Sequence, residues 1–376
     1  MFRWKLPDWY DRWKKDNPVT MGSLYGPLIL FGAGFGAWIF AIGIFIWYGW
    51  AEPTSLQTGP RGAGMSVPSL AGLEKPDTSL DDYFSEEPYE VAEDEPLARE
   101  VYKNVQVLGD LTEGNFTRLM LAMTEWVSPE QGCAYCHNEE KMHSDAVYTK
   151  VVSRRMIQMT RNINENWDGH VNASGEGVGV NCYTCHRGQN VPSGIWFKIA
   201  PRLEAASGWA AVQNIATDQS ISTSLPHDAL EKLLGEDGLI KVHDLEPRVP
   251  GSTADVGELA SIQDTERTYS LMNYFSHSLG VNCTFCHNTR AFYDGAQITP
   301  QWATAFIGID MVREMNQEYL VPLGPVYPKN RLGPMHGDAP KAACNTCHKG
   351  QQKPMGGADM LTDWPELAAE GPPEYE

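Results

Sequence analysis

The stretch CYTCHRGQ, residues 182–189, contains the pattern Cys-x-x-Cys-His, and the chain has three further copies of it. They are CAYCH at 133–137, CTFCH at 283–287 and CNTCH at 344–348. A Cys-x-x-Cys pair alone is compatible with zinc, a disulfide or a redox pair, but a histidine directly after it is typical of c-type haem attachment. The four motifs use all eight cysteines. The sequence therefore predicts four covalently bound haem c groups and leaves no thiol for a disulfide or a nucleophile.

Each motif supplies two kinds of group to its haem. The two thiols add to the vinyl groups, and the histidine places an imidazole nitrogen on the iron. The predicted attachment residues are Cys133, Cys136, Cys182, Cys185, Cys283, Cys286, Cys344 and Cys347. The predicted proximal ligands are His137, His186, His287 and His348.

The four motifs, numbered in chain order, fall into two pairs. CAYCHN resembles CTFCHN, CYTCHRGQ resembles CNTCHKGQ, and VGVNC before the second motif resembles LGVNC before the third. This internal repeat predicts a mainly α-helical, loop-rich multihaem cytochrome c with two pseudo-symmetric haem-pair modules, at 98–210 and 261–360. The stretch 211–260 has no ligand motif and is interpreted as a connector. Residues 361–376 are interpreted as an acidic tail.

The N-terminal region predicts a single membrane anchor. Residues 17–51 contain no charged side chain, which exceeds the about 20 residues that a transmembrane helix needs. Basic residues outnumber acidic ones in 1–21, which places this end in the cytoplasm and the haems in the periplasm. A cleaved signal peptide is the alternative, but the segment is long for one and no cysteine precedes Cys133 to carry a lipid. We therefore predict a retained anchor at 22–50, followed by an extended periplasmic linker and acidic strap at 51–97.

The charge of the chain restricts its partners. The formal net charge is −19, so nucleic acid is excluded as a partner and a basic protein is favoured. The strap carries eight acidic residues between Asp81 and Glu95. It is interpreted either as a solvated face or as a docking surface for a basic partner.

The sixth ligand of each iron decides between electron transfer and substrate chemistry, because an open position admits substrate. FTRLMLAMTEW, residues 116–126, offers Met120 or Met123 to the first haem. Met272 lies on the helical pattern before the third motif. A helix ahead of a motif can lie over the haem face and place a thioether on the iron, although methionine on a helix is more often a core side chain.

The segment VVSRRMIQMTRNINENWDGHV, residues 151–171, contains more ligand candidates than one haem can use. Either Met156 or Met159 can serve the second haem, because they lie one helical turn apart. His170 is about 21 Å beyond Met156 along an uninterrupted helix, so these two residues cannot serve the same iron. His170 is therefore either structural or a ligand of a different haem. Before the fourth motif, Met311 is interpreted as the positional counterpart of Met156.

Together these segments resemble the tetrahaem cytochrome subunit of photosynthetic reaction centres from purple-type bacteria, over about residues 98–360. The resemblance implies that methionines ligate haems 1 to 3 and that a histidine crosses from the first module to haem 4. The implied sixth ligands are Met120, Met156, Met272 and His170. It also implies that Met311 is a packing residue. Many members of the family are lipoproteins, whereas this chain lacks a cysteine at that place, so we expect the helix itself to attach it.

The resemblance implies an electron carrier without an enzymatic site. Electrons would pass from a soluble periplasmic donor, a small cytochrome c or a high-potential iron-sulfur protein, to the photo-oxidised bacteriochlorophyll pair. The haems would lie in the spatial order 1, 2, 4, 3, beside reaction-centre core subunits and light-harvesting antenna in the photosynthetic inner membrane.

Two other functions remain open on the residues alone. A membrane-anchored quinol dehydrogenase needs mostly bis-histidine ligation, and a multihaem reductase needs an iron with no distal ligand. The remaining histidines lack helical spacing to the motifs and are predicted to be surface or loop residues. They are His143, His227, His243, His277 and His336.

Overall fold

The computed structural model describes residues 7–49, 53–57, 66–70, 79–172, 178–200, 211–240, 242, 261–292, 294–373 and 375. The chain divides into two compact units, one of residues 1–56 with 68–75 and one of residues 57–67 with 76–376. Helices dominate the described residues, so the predicted mainly α-helical class is confirmed.

The described residues of the first unit form two helices, α1 (Asp8–Asp16) and α2 (Met21–Gly49). The 29 residues of α2 correspond to about 43 Å of helix, enough to cross a hydrocarbon core of about 30 Å. The span Met21–Trp47 has a mean hydropathy of 2.2, and none of its most apolar window is buried within the chain. The helix matches the predicted anchor at 22–50 and suits association with a membrane.

Two short strands lie in the stretch that was predicted to be an extended linker. Strands β1 (Pro53–Gln57) and β2 (Ser66–Leu70) pair in a two-stranded sheet. The rest of the predicted linker, 51–52, 58–65 and 71–78, lies outside the described residues.

In the second unit a long helix precedes each of the four motifs. The described α-helices are α3 (Ala98–Val101), α4 (Glu113–Val127), α5 (Tyr148–Asn166), α6 (Asp168–Val171), α7 (Cys182–His186), α8 (Ile262–Leu279), α9 (Pro300–Glu314) and α10 (Cys344–His348). Short 3₁₀ turns cover Gly132–Tyr135, Cys283–Phe285, Gly295–Gln297, Val321–Leu323, Lys329–Arg331, Pro354–Gly357 and Pro365–Leu367, and π turns cover Glu231–Gly235 and Met315–Leu320. Helices α4, α5, α8 and α9 are the four that precede motifs 1 to 4.

The ends of these helices follow local capping chemistry. The Thr112 hydroxyl accepts a hydrogen bond from the Asn115 N–H at the start of α4, as a good N-cap does. Ser261 and Asp264 form a capping box at the start of α8, and Gly280 ends the same helix at φ 63°. Glycine is suited to that left-handed position because it has no Cβ.

One hydrophobic cluster surrounds α4 and includes residues from the very end of the chain. Trp364 and Leu367 are fully buried in it. The side chains of Arg118 and Glu366 form an ion pair with no exposed surface, and the Arg118 guanidinium lies 4.2 Å from the centre of the Trp364 ring. The first part of the predicted acidic tail, 361–376, is therefore a buried segment that completes the core around α4.

Side chains of α4 hold the acidic strap through hydrogen bonds to the backbone of the strap. The Trp126 indole N–H donates to the Phe84 carbonyl at 2.9 Å. The Asn115 side chain bonds both backbone groups of Tyr89, at 2.9 and 3.0 Å. Most of the strap carboxylates remain exposed, so the strap is fixed by its backbone and directs negative charge outward.

A second hydrophobic cluster joins α5, α8, α9 and part of the predicted connector. Ala229, Leu230 and Leu234 are fully buried in it. The described part of 211–260 is thus integral to the core rather than a simple connection. His227 is 1% exposed and lies in a turn, so it fits the loop alternative of its prediction as a surface or loop residue. His243 is outside the described residues.

The buried ion pair generates a stability prediction. Replacing Arg118 with Met leaves the Glu366 carboxylate buried without its charged partner, and we expect the free energy of unfolding to fall by about 3–5 kcal/mol. Denaturant unfolding of the haem-loaded protein measures this loss.

The matched control is Lys232→Met. It removes an exposed ion pair with Glu236, whose N–O distance is 2.7 Å, and we expect it to cost less than about 1 kcal/mol. Equal losses in the two variants would contradict a structural role for the buried pair.

Candidate haem sites

The four motifs adopt two local conformations. Motifs 2 and 4 form the short helices α7 and α10, and each ends in a left-handed basic residue, Arg187 (φ 47°) or Lys349 (φ 50°). Motifs 1 and 3 form 3₁₀ turns instead. The conformations thus pair the motifs in the same way as their sequences do.

Motifs 2 and 4 are in direct contact through a reciprocal arrangement. Lys349 Nζ donates to the Cys185 carbonyl at 2.8 Å, and Arg187 Nη2 donates to the Cys347 carbonyl at 3.4 Å. The Sγ atoms of Cys185 and Cys347 lie 2.6 Å apart. The basic residue after each motif therefore fastens the other motif, which gives this contact an approximate two-fold symmetry.

A cavity of about 870 Å³ lies against the motifs. Cofactor sites in proteins typically occupy about 300–1,000 Å³, so this volume is at the upper end of that range. The cysteines and histidines of motifs 2 and 4 line the cavity, and Cys136 and Cys286 from the other two motifs reach it as well. One continuous, mainly apolar space thus touches all four motifs.

Helices α5 and α9 form equivalent walls of this cavity. Asn164 clamps Val180 with two hydrogen bonds of 2.8 Å, and Asn316 clamps Ala342 with bonds of 2.8 and 3.0 Å. The clamped residue in each case lies two positions before the first cysteine of its motif. The two asparagines therefore fix the alignment of α5 with α9.

This alignment pairs residues 152 positions apart. Met159, Thr160 and Ile163 correspond to Met311, Val312 and Met315, and all six line the cavity. The prediction that Met311 is the counterpart of Met156 is thus wrong, because Met311 corresponds to Met159. The counterpart of Met156 is Gly308, which also lines the cavity. An alignment of the two helices by their methionines alone pairs Met311 with Met156 instead.

Several imidazoles are fixed through Nδ1, which leaves Nε2 available to a metal. A ligating histidine commonly donates its second ring N–H to a backbone carbonyl in this way. The Nδ1 partners are the carbonyls of Met142 for His137 (3.0 Å), Gln189 for His186 (2.8 Å), Gln351 for His348 (3.0 Å) and Thr304 for His170 (2.8 Å). The remaining motif histidine, His287 of motif 3, packs against the Phe292 ring at 5.3 Å between ring centres.

Burial sets the protonation of these groups. It lowers the pKa of His186 and of His348 to about 4, and it lowers the pKa of His170. The neutral imidazole is the form that binds a metal. Burial also raises the pKa of Cys182 and of Cys344 to about 12, so both thiols are neutral as well.

His170 approaches the fourth motif because the long helix breaks before it. Helix α5 ends at Asn166, Trp167 leaves the helical conformation, and α6 begins at Asp168. The ring centres of His170 and His348 are 6.1 Å apart, with an angle of 70° between the ring planes. Two imidazoles on opposite sides of one metal, each with a metal–nitrogen distance of about 2.0–2.1 Å, have ring centres about 6 Å apart. The separation of the two rings thus matches that of two imidazoles that share one metal.

The methionine candidates differ in their positions. Met156 and Met159 both line the cavity. Met120 and Met123 are partly buried against the cluster around α4, and Met272 is partly buried against the cluster of α5, α8 and α9. None of these last three is among the residues that line the cavity.

Sequence reasoning missed the residues whose side chains bond the motifs or the residues just before them. They are Asn164, Asn316, Arg187 and Lys349. The asparagines were detectable, because each lies five residues after a methionine in the helix before a CHRGQ or CHKGQ motif. No sequence signal indicated that the basic residues of these motifs reach across to each other.

The asparagine clamp generates a second prediction. Asn316→Ala leaves the buried Ala342 N–H without its partner, and we expect a loss of about 1–3 kcal/mol in the free energy of unfolding. The unfolding midpoint of the haem-loaded protein measures the effect.

Asn273→Ala is the control, because the hydrogen bond that the Asn273 side chain makes within the described part of the chain is an exposed one, of 3.1 Å, to the Tyr269 carbonyl of α8. A surface change of this kind is expected to stay within about 0.5 kcal/mol. A loss for Asn273→Ala as large as that for Asn316→Ala would argue against a special role for the clamp.

Comparison with known proteins identifies relatives along nearly the whole chain. A family model described as the photosynthetic reaction centre cytochrome C subunit matches residues 50–368. The photosynthetic reaction center cytochrome c subunit of Roseobacter denitrificans is 59% identical over 376 residues, covering 99% of this chain and 100% of the relative. The subunit of the same name from Rubrivivax gelatinosus is 44% identical and covers 72% of each chain. That of Thermochromatium tepidum is 46% identical and covers 72% of this chain and 65% of the relative.

Proposed function

The chain belongs to the family of photosynthetic reaction centre cytochrome c subunits, and we propose that each of its four motifs holds one covalently bound haem c. As a member of this family it is an electron-transfer protein that associates with reaction-centre components. When bound, haem c supplies a one-electron ferric–ferrous couple. The observation that carries the proposal is the approach of His170 to His348 at 6.1 Å between ring centres, because it brings a histidine of the first half of the repeat to a motif histidine of the second.

We propose Met120, Met156 and Met272 as the sixth ligands at motifs 1, 2 and 3, and His170 as the sixth ligand at motif 4. Support comes from their positions, since each methionine lies on the helix directly before its motif. A thioether raises the reduction potential and a second imidazole lowers it. With every axial position filled, the protein would leave no iron open to a substrate, so we propose no enzymatic reaction.

The proposed electron route follows the spatial order of motifs 1, 2, 4 and 3. Thr149, near the start of α5, donates a hydrogen bond to the Tyr135 carbonyl of motif 1. Thr299, directly before α9, donates to the Phe285 carbonyl of motif 3 at 2.8 Å. Motif 1 thus contacts the helix that precedes motif 2, motif 3 contacts the helix that precedes motif 4, and motifs 2 and 4 contact each other, which supports the order. Electrons would enter at motif 1 from a small soluble cytochrome c or high-potential iron-sulfur protein and leave at motif 3 toward the photo-oxidised bacteriochlorophyll pair.

We also propose how the protein sits in the membrane. Helix α2 would cross the photosynthetic inner membrane once, beside core subunits and possible antenna neighbours, with α1 in the cytoplasm and the haem modules in the periplasm. Lys14 and Lys15 in the last turn of α1 support this orientation through the positive-inside rule. The proposed modules are 98–210 and 261–360, with the segment around Trp364 packed into the first of them.

A flash experiment on native membranes tests the proposed route. With the ambient potential poised, we expect c-type haem absorbance to show oxidation after each flash, and a redox titration to resolve four haems. If no c-type haem responds while the bacteriochlorophyll pair is functional, the proposed donation fails. A membrane-anchored quinol dehydrogenase would then be the better explanation.

The proposed ligand at motif 3 generates a further prediction. Met272→Leu removes a thioether that favours ferrous iron, so we expect one haem potential to fall by on the order of 0.1 V, within the about 0.8 V range that axial ligands set. Redox titration of the purified protein measures this shift.

Met142→Leu is the control, because the Met142 side chain is exposed and its backbone carbonyl, which the substitution keeps, accepts from His137 and Lys150. We expect its four potentials to be unchanged. An unaltered titration in Met272→Leu would remove Met272 from the ligand set.

A further inference from the structure

We propose that Gly308 selects the ligand at motif 4: by having no side chain where α5 has Met156, it leaves the space that His170 occupies. The inference rests on the proposed ligand set and adds the residue that decides it. Gly308 would be a positioning residue, since it touches the imidazole of His170 and provides no ligand atom.

The first argument is the correspondence between the two helices. Met156 lies eight residues before the clamping Asn164, and Gly308 lies eight residues before the clamping Asn316. Each asparagine bonds the residue two positions before its own motif. The two positions thus have the same place relative to motifs 2 and 4, and both line the cavity.

The second argument is steric. A Cβ built on Gly308 would lie 2.4 Å from Cε1 and 2.6 Å from Nδ1 of His170, which is far inside van der Waals contact. The rigid imidazole is held there, because its Nδ1 donates to the Thr304 carbonyl at 2.8 Å, one helical turn before Gly308. Neither the backbone of α9 nor the hydrogen-bonded ring can shift without a loss of stability, so any side chain at position 308 would displace the ring.

The third argument is that the backbone gives no other reason for glycine. Gly308 lies inside α9 and its φ is outside the left-handed region. Glycine is among the least favourable residues within a helix. Glycine is therefore required at this position because His170 approaches closely, and not because the backbone adopts a special conformation.

Together these observations identify one difference between the equivalent walls that matters for ligation, which is Met156 in α5 and Gly308 in α9. A methionine at the position gives a sulfur ligand from the same helix, and a glycine admits an imidazole from the other module. The difference would convert one of four similar sites into a bis-imidazole site with a lower potential.

The experiment is a ligand rescue in the full-length, haem-loaded chain. His170→Ala opens the axial position at motif 4, and we expect loss of the bis-imidazole signal in low-temperature electron paramagnetic resonance with the appearance of a high-spin signal. In the double variant His170→Ala/Gly308→Met, the new thioether occupies the vacated space. We expect loss of the high-spin signal and gain of one sulfur-to-iron charge-transfer band in near-infrared magnetic circular dichroism.

The matched control is His170→Ala/Phe306→Met. Phe306 is on the same helix but is 53% exposed, so a methionine there points away from the cavity and the high-spin signal should persist. Rescue by this control, or no rescue by the double variant with Gly308→Met, would overturn the proposal.

A smaller substitution keeps the test independent of whether the double variant folds. Gly308→Ala places a methyl group against His170, and we expect loss of the bis-imidazole signal although His170 is present. Gly295→Ala is its control, since a Cβ at Gly295 has no heavy atom of the described residues within 4 Å.

The outcomes separate this inference from the proposed function. An unchanged bis-imidazole signal in Gly308→Ala would overturn the role of Gly308 and leave the ligand set intact. Absence of a bis-imidazole signal in the unmodified protein would overturn the proposed ligand set and this inference together.

Discussion

The second unit depends on the reciprocal contact between α7 and α10. Arg187 and Lys349 each adopt a left-handed conformation after a motif histidine, which is costly for residues with a Cβ. In return, each side chain reaches a backbone carbonyl of the opposite motif. The contact joins the two attachment helices, and α4 packs on α7 while α8 packs on α10.

The haem-attachment motifs and their pairwise repeat were predictable from the sequence because each is visible in a short stretch of residues. The motifs, the apolar helix α2 and the long helices before each motif follow from short patterns with known physical causes. His170 was also predictable as a crossing residue, through family resemblance. Its approach to His348 required the break at Trp167, which no residue type in that segment signals clearly.

The parts that sequence reasoning missed involve absence of a side chain or distant packing. The register of α9 was read from Met311, whereas the Asn316 clamp fixes it and puts Gly308 opposite His170. Acidic composition suggested a tail at the C-terminus, but the buried partners of Trp364 lie on α4. Such contacts depend on the assembled fold, and composition carries no information about them.

The burial of the C-terminal segment has a consequence for how the chain matures. Arg118 and its ion-pair partner Glu366 are 248 residues apart, so the core around α4 closes only after nearly the whole polypeptide has been made. Contacts of such long sequence separation form slowly. The core around α4 therefore stays open until the segment that carries Trp364 and Glu366 has been made, and Cys182 of motif 2, which belongs to the same cluster, is enclosed only then.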